Sequence, residues 1–332
     1  MLRLPSLVCG LLCVVVAPLL ARKLIGARRA ALLALLLAVS PLLIFYSRIC
    51  RPYSAVALLA FTAILLAARW MQSGGLRPAL LFMGAGVLAI YFHLFAVVTV
   101  AAPALAAFVF HVWIRRPGVP RRVVAGPSLQ QWILVSLVMA GISTILLLPA
   151  LIHSLQSTFF NIALVGTFRL QSLWRMAMLI SGTGQPILAA LFWVALIAGA
   201  VEQCRRNPWF GWMLVSLYPL HALALILSRP DSAQSAILLT RYCIPLVPVS
   251  LLLVACGIQA ALEAIAARAT LRPALQILTA FACVAALASP GRCRNATLCP
   301  TISQATAPIS IATGASTGTA PSTATLLRRV FC

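Results

Sequence analysis

SPLLIFYSRICRPYS, residues Ser40 to Ser54, lies between two long apolar runs and decides how the surrounding chain is interpreted. The run before it, Ala30 to Tyr46, and the run after it, Tyr53 to Ala68, each approach the length of a bilayer-spanning helix. The segment therefore places arginine and tyrosine side chains at a membrane boundary. One interpretation is an ordinary connector whose arginines extend to the lipid headgroups. The other is an anionic-ligand site, because arginine binds phosphate through paired hydrogen bonds and tyrosine combines an apolar ring with a hydroxyl.

The composition predicts an all-α, polytopic transmembrane protein. Of the 332 residues, 63% are hydrophobic and only 8% are charged, and the mean hydropathy is +1.06. A soluble domain cannot bury so large an apolar fraction. The net charge of +22 would ordinarily suggest nucleic acid, but the basic residues are spread between apolar runs. Membrane topology and contact with anionic membrane lipids explain that spacing, and we expect no nucleic-acid partner.

Apolar runs predict about ten membrane spans before residue 289, with short surface helices in the segment from 149 to 185. The predicted spans are Leu4–Ala21, Ala30–Tyr46, Tyr53–Ala68, two within Ala79–Trp113, Trp132–Leu148, Ile187–Val201, Trp209–Leu227, Tyr242–Ala261 and Leu275–Ala288. Lysine and arginine are about twice as frequent in the loops assigned to the cytoplasm as in the outer segments, which is the expected bias. Arg51 and Arg241 lie on the outer side, against that bias.

The last part of the chain has a different composition. Residues 289 to 332 are rich in Ser, Thr, Ala, Gly and Pro, with few large apolar side chains. Such a segment cannot bury enough surface to fold. We therefore predict a transmembrane domain at residues 1–288, followed by a disordered low-complexity tail at 289–332.

Acidic residues are rare in this sequence. There are three in all: Glu202, Asp231 and Glu263. The predicted membrane topology assigns Glu202 and Glu263 to cytoplasmic loops and Asp231 to an outer loop. No Cys or His grouping has the spacing of a zinc site, so the sequence identifies no metal ligands and no cofactor, and it leaves a requirement for a divalent metal unknown.

Two further positions carry polar chemistry beside apolar runs. His93 lies in an apolar stretch at a predicted outer turn, where it is either a satisfied structural residue or, as an ionisable group near a membrane, a functional one. Arg241 and Tyr242 precede the predicted ninth span. They are either interfacial residues before a proline-containing helix start or a second phosphate ligand beside Arg51. Pro149 and His153 are predicted to end the sixth span.

Three of these segments resemble one family. SPLLIFYSRICRPYS resembles the "sP…yS.EaRpYs" segment of the GT-C class of membrane glycosyltransferases, which includes protein O-mannosyltransferase, the lipid A aminoarabinose transferase and lipopolysaccharide galacturonosyl transferases. AIYFHLFA, residues 89 to 96, is similar to the family's "alYtHyfa" turn. RYCIPLVP, residues 241 to 248, is similar to its "RYllpllP" helix start. The order and spacing agree across residues 1 to about 288.

The resemblance implies an enzyme that transfers sugar from a polyprenyl-phosphate donor to an acceptor at the outer face of the membrane. The residues that match donor-side family positions are Arg51, Tyr53, His93, Arg241 and Tyr242. The sequence departs from the motif at Ile49, where the family has Glu. Family members also carry a preceding helix and a large outer loop with a catalytic Asp, whereas Met1 begins at what resembles the second family helix.

That departure leaves the catalytic residue unknown. We therefore expect a glycosyltransferase-like multi-pass protein of the bacterial inner membrane that is inactive as this chain alone. The alternatives are a transporter or lipid-handling protein that binds an anionic lipid without chemistry, and a non-catalytic fragment.

Overall fold

The computed structural model describes residues 3–114, 126–161, 170–228 and 239–268, and every regular element in those ranges is helical. The all-α fold predicted from composition is therefore confirmed for this part of the chain. The predicted tenth span, Asp231 and the tail lie outside the described residues. The helices are α1 (Leu4–Ile25), α2 (Ala27–Val39), α3 (Pro41–Arg48), α4 (Tyr53–Ser73), α5 (Leu76–Phe92), α6 (Ala96–Ile114), α7 (Leu129–Asn161), α8 (Leu170–Ser181), α9 (Pro186–Arg206), α10 (Pro208–Ser228) and α11 (Leu246–Arg268), with a 3-10 turn (Arg241–Cys243) before α11.

Six of the described helices are long and apolar enough to cross a membrane, which agrees with a multi-pass protein. They are α1, α4, α7, α9, α10 and α11. The bent pair α2 and α3 makes a seventh if it is counted as one broken span, and α5 and α6 are apolar but shorter. The predicted number of about ten spans is therefore not confirmed, although each run that was predicted to span before residue 268 is helical.

The predicted second span is broken inside the SPLLIFYSRICRPYS segment. Its two parts, α2 and α3, meet at an angle of 52°. Ser40 at the junction is extended, with φ −64° and ψ 113°, because a residue that precedes proline avoids the helical region. Pro41 then begins α3, where its missing N–H costs no helical hydrogen bond. Half of the segment is thus a helix in its own right rather than a connector.

Two other local predictions are corrected. Pro149 is the last residue of the part of α7 that is apolar enough to cross a membrane, but it does not stop the helix, because α7 continues to Asn161. A proline inside a membrane helix removes one hydrogen bond without ending the helix when its surroundings accommodate the freed groups. Glu202 and Glu263 lie in the carboxyl-terminal parts of α9 and α11 rather than in loops. The predicted turn at His93 is confirmed, since α5 ends at Phe92.

Helices α4 and α11 form the centre of the bundle. Of their most apolar stretches, 72% of α4 and 83% of α11 are buried, against 17% of α7 and 28% of α1. Helix α11 crosses α9 closely: a Cβ on Gly199 would lie 1.8 Å from the Leu253 carbonyl oxygen, and one on Gly257 would lie 1.9 Å from that of Ala195. Small residues permit such backbone contact between membrane helices. Helix α11 is therefore fixed against α9 and joins the two ends of the bundle.

Candidate functional site

An aromatic–arginine cluster lies at the end of the bundle that the predicted membrane topology assigns to the outer side. It combines the end of α3, the start of α4, the turn between α5 and α6, and the turn before α11. Its members are Tyr46, Tyr53, His93, Phe95, Arg241 and Tyr242. Three segments that are far apart in the sequence, one of which contributes both α3 and α4, thus meet at one place.

Ring contacts connect the cluster from α3 to the turn before α11. The ring centroids of Tyr46 and Tyr53 are 5.0 Å apart, and those of Tyr53 and His93 are 6.1 Å apart. Tyr242 then contacts both His93, at 5.8 Å, and Phe95, at 4.7 Å. Edge-to-face and tilted pairs at these separations are favourable beyond their burial, so the rings hold one another in place.

Arg241 is oriented by tyrosines. Its Nη2 donates a hydrogen bond of 2.8 Å to the Tyr242 hydroxyl, and its Cζ lies 4.9 Å from the centre of the Tyr242 ring. The Tyr53 side chain is also a hydrogen-bonding partner of the guanidinium. Cys243, the next residue but one, donates to the Met176 sulfur of α8 at 3.7 Å. Arg241 is half-buried, so its positive charge is held in a defined position rather than extended into solvent.

His93 is a neutral hydrogen-bond donor in this arrangement. Its Nδ1 accepts a hydrogen bond of 3.2 Å from the Phe95 N–H, so the neutral ring carries its proton on Nε2. Burial, followed by the positive charge of Arg241, lowers the pKa of His93 to about 4. A neutral imidazole whose Nε2 bears a proton can donate to an oxygen of a ligand. It is not arranged as a base.

The structure brings together four of the five predicted donor-side residues: Tyr53, His93, Arg241 and Tyr242. The fifth, Arg51, has an exposed side chain, and its carbonyl oxygen accepts a hydrogen bond of 3.0 Å from Ser6 of α1. Its predicted convergence with Arg241 on one phosphate stays a prediction. Tyr46 and Phe95 were not among the predicted site residues, although both lie inside the segments that carry the resemblance.

An open apolar cleft adjoins the cluster through Phe95. It has a volume of about 350 Å³ and lies between the start of α6 and the end of α10. It is lined by Leu94, Phe95, Val97, Val98, Ala224, Leu227 and Ser228. A cleft of this composition suits a hydrocarbon chain, and it places that chain beside the ring that packs on Tyr242.

Buried polar pairs lie deeper in the bundle. Thr99 of α6 is within 3.2 Å of the Nε2 of His221 in α10, and that ring's Nδ1 is 2.9 Å from the Leu217 carbonyl oxygen. The Tyr218 hydroxyl is 2.9 Å from that of Ser250 in α11. Sequence reasoning missed these pairs; the available signal was a histidine inside an apolar span, which is costly unless it has a partner.

The two described glutamates lie near the opposite end of the bundle from the cluster. Both form ion pairs there, Glu202 with Arg206, and Glu263 with Arg29 and Arg206. Within the described residues, no three His, Cys, Asp or Glu side chains form a group that could hold a metal ion. Neither of the two carboxylates in the described part of the chain is therefore at the cluster.

Comparisons with protein-family models, with curated proteins and with solved structures gave no match. The class that fold and composition define is a multi-pass α-helical membrane protein. Its function has to be argued from the cluster and the cleft.

Proposed function

We propose that this protein is a GT-C-like membrane glycosyltransferase of the bacterial inner membrane that recognises a polyprenyl-phosphate-linked sugar at the aromatic–arginine cluster. The observation that carries the proposal is the meeting of Tyr53, His93 and Arg241–Tyr242. Each belongs to a different one of the three segments that resemble the family, and these segments are widely separated in sequence. Packing alone does not require three such segments to converge.

The cluster offers chemistry that suits a lipid phosphate. The Arg241 guanidinium supplies positive charge and several N–H donors to phosphate oxygens, and the His93 Nε2–H supplies a neutral donor. The aromatic rings limit the access of water, which strengthens these interactions. The cleft between α6 and α10 would hold part of the isoprenoid chain, because its lining is almost entirely apolar.

The transfer step needs a base as well as a phosphate site. In such a reaction an acceptor hydroxyl loses its proton and attacks the anomeric carbon, while the departing lipid phosphate is stabilised by positive charge. Arg241 suits the second task. Neither described glutamate suits the first, because both form ion pairs at the other end of the bundle.

The position of the two described glutamates motivates a second candidate function, the binding or movement of an anionic lipid without chemistry. The two candidates share the phosphate site and differ in turnover. Lipid-handling predicts saturable binding of polyprenyl phosphate with no sugar transfer, whereas the enzyme predicts transfer to an acceptor in native membranes.

The phosphate site is tested with the full chain in nanodiscs that contain a fluorescent polyprenyl phosphate. Arg241→Gln should weaken binding about tenfold or more, since a hydrogen bond to a charged group contributes about 1.5–3 kcal/mol. The matched control is Arg175→Gln, an exposed arginine of α8, which should leave binding unchanged. Equal affinity of the Arg241 variant and the wild type would refute a phosphate site at Arg241. A labelled sugar on the same lipid, added with native membranes, then separates the enzyme from the lipid-handling protein.

A further inference from the structure

Helix α4 begins inside the aromatic–arginine cluster with a first turn that has no cap. Tyr53, its first residue, hydrogen-bonds through its side chain with Arg241. Pro52 is at the N-cap position and gives no side-chain hydrogen bond, and the first turn contains no acidic residue. The N–H of Val56 donates to the Pro52 carbonyl oxygen at 2.9 Å. The N–H groups of the three residues before Val56 have no acceptor within the helix itself.

Ser54 adds a hydroxyl to these N–H groups. The residue is 4% exposed, and its Oγ is buried without a hydrogen-bond partner in the described part of the chain. A serine inside a helix can donate to a carbonyl oxygen three or four residues earlier. For Ser54 those carbonyls precede the helix, and the one of Arg51 already accepts from Ser6. Because side chains on a helix lean towards its N-terminus, the Ser54 hydroxyl is directed to the same end of α4 as the unbonded N–H groups.

The charges around this turn favour an anion. The aligned peptide dipoles of α4 place partial positive charge at its start, and the Arg241 guanidinium is bonded to the first side chain of the helix. Arg51, just before the helix, is a second arginine at this end. Both described glutamates form ion pairs at the opposite end of the bundle. Burial of N–H and O–H donors without an acceptor is unfavourable, so the turn suits a ligand that brings anionic oxygens.

We propose that the first turn of α4, together with the Ser54 hydroxyl, binds the phosphate head group of the lipid beside Arg241. The inference rests on the proposed function and deepens it, because it assigns Ser54 and the N–H groups of this turn as ligands of the same phosphate site. N–H groups at the start of a helix bind phosphate oxygens readily, and the serine hydroxyl donates one further hydrogen bond. Arg241 supplies charge, and the turn fixes the position of the head group.

The hydroxyl is tested with Ser54→Ala in the full chain, in nanodiscs of zwitterionic lipid that contain the fluorescent polyprenyl phosphate. The affinity should fall about tenfold, because one donor to a charged ligand is lost. The thermal unfolding midpoint of the ligand-free protein should stay the same or rise, since the hydroxyl has no partner there. The matched control is Ser143→Ala in α7, which removes another buried hydroxyl without a partner and should leave the affinity unchanged.

The N–H groups are tested with Ala55→Asp, which places a carboxylate in the first turn of α4. An acidic residue stabilises the start of a helix, so the variant should unfold at the same temperature as the wild type or a higher one. Its carboxylate competes with the phosphate for the same donors and should weaken lipid binding about tenfold or more. The matched control is Ala27→Asp at the exposed first residue of α2, which should leave binding unchanged. A purely structural turn would not combine retained stability with lost affinity.

Four results would overturn the proposal. An unchanged affinity in Ser54→Ala or Ala55→Asp, together with weak binding by Arg241→Gln, would remove the turn and leave the phosphate site at Arg241. An absence of binding by the wild type would remove both. A lower unfolding midpoint in Ser54→Ala than in Ser143→Ala would show that the hydroxyl has a structural partner. Equal competition by phosphatidylglycerol would assign the turn to ordinary membrane lipid. If Ala55→Asp does not accumulate, Ser54→Ala and its control decide.

Discussion

Alanine at the glycine crossing should separate the two central helices. In Gly199→Ala the new Cβ would lie 1.8 Å from the Leu253 carbonyl oxygen. Contacts of a real Cβ begin at 3.0 Å, so the backbones must move apart by at least about 1.2 Å (3.0 minus 1.8). The obstructing atom belongs to the backbone, and it cannot turn aside as the end of a flexible side chain can.

The cost of this movement is at the upper end of the overpacking range. Inserting a methyl group into a well-packed core costs about 1–3 kcal/mol, and a shift of more than 1 Å also removes much of the dispersion attraction along the contact. We expect a loss of about 3 kcal/mol. For a domain of this size, that lowers the midpoint of thermal unfolding by roughly 6 °C or more.

The assay is thermal unfolding of purified protein in detergent, followed as the fraction that remains monodisperse after heating. Gly84→Ala is the matched control, because Gly84 also lies inside an apolar helix but a Cβ there meets nothing within 4 Å. It should be neutral or slightly stabilising, since alanine has the higher helix propensity. The double variant Gly199→Ala/Gly257→Ala should cost less than the sum, because one separation relieves both clashes. An unchanged midpoint in Gly199→Ala would refute the close crossing of α9 and α11.

Three further predictions concern single contacts. Tyr242→Phe keeps the ring that packs on Phe95 and removes the hydroxyl that accepts a hydrogen bond of 2.8 Å from Arg241. It should weaken polyprenyl-phosphate binding about three- to tenfold, which is less than the effect of Arg241→Gln. A loss of affinity as large as that of Arg241→Gln would show that the hydroxyl itself is the main ligand. Thr99→Val removes the partner of the buried His221 ring and should lower the free energy of unfolding by about 1–3 kcal/mol in the same assay. The control Thr62→Val removes a buried hydroxyl that has no partner and should be neutral or stabilising. Equal losses of stability in the two variants would contradict the Thr99–His221 hydrogen bond. Because the pKa of His93 is lowered from 6.5 to about 4 in the folded chain, the unfolded chain binds the proton first as the pH falls, so His93 makes stability decline from pH 6.5 towards about 4. His93→Gln should flatten part of that decline in unfolding midpoints measured across this window. An unaltered slope would show that folding does not lower the pKa of His93.

Local rules were sufficient for much of the fold. The turn at His93 and the helix end at Gly74 follow from the apolar runs and from glycine, which adopts the left-handed conformation there with φ 64°. The break at Ser40–Pro41 could also have been read from the pre-proline residue, but the apolar run concealed it. Pro149 shows the opposite error, because proline ends helices in water more reliably than in a membrane bundle.

The residues of the candidate site could be predicted where they lie in the three segments that resemble the glycosyltransferase family. Tyr53, His93, Arg241 and Tyr242 were found in three short segments, and only the tertiary structure shows that their rings touch. The pairing of Arg29 with Glu263, 234 residues apart, has no local signal in the sequence. The same holds for Thr99 and His221, since hydrophobic periodicity describes which face of a helix is apolar and not which partner it meets.

The shortness of α5 has a consequence for the lipid around the site. Its 17 residues span about 26 Å at 1.5 Å per residue, less than the roughly 30 Å hydrocarbon thickness of a typical bilayer. If α5 crosses the membrane, such a mismatch is relieved by thinning of the bilayer, by flanking side chains that extend to the headgroups, or by association with other helices. With thinning, the turn with His93 and Phe95 would lie in a depression of the membrane surface, where the lipid phosphate proposed above would reach Arg241 from the side while its chain stays in the hydrocarbon layer.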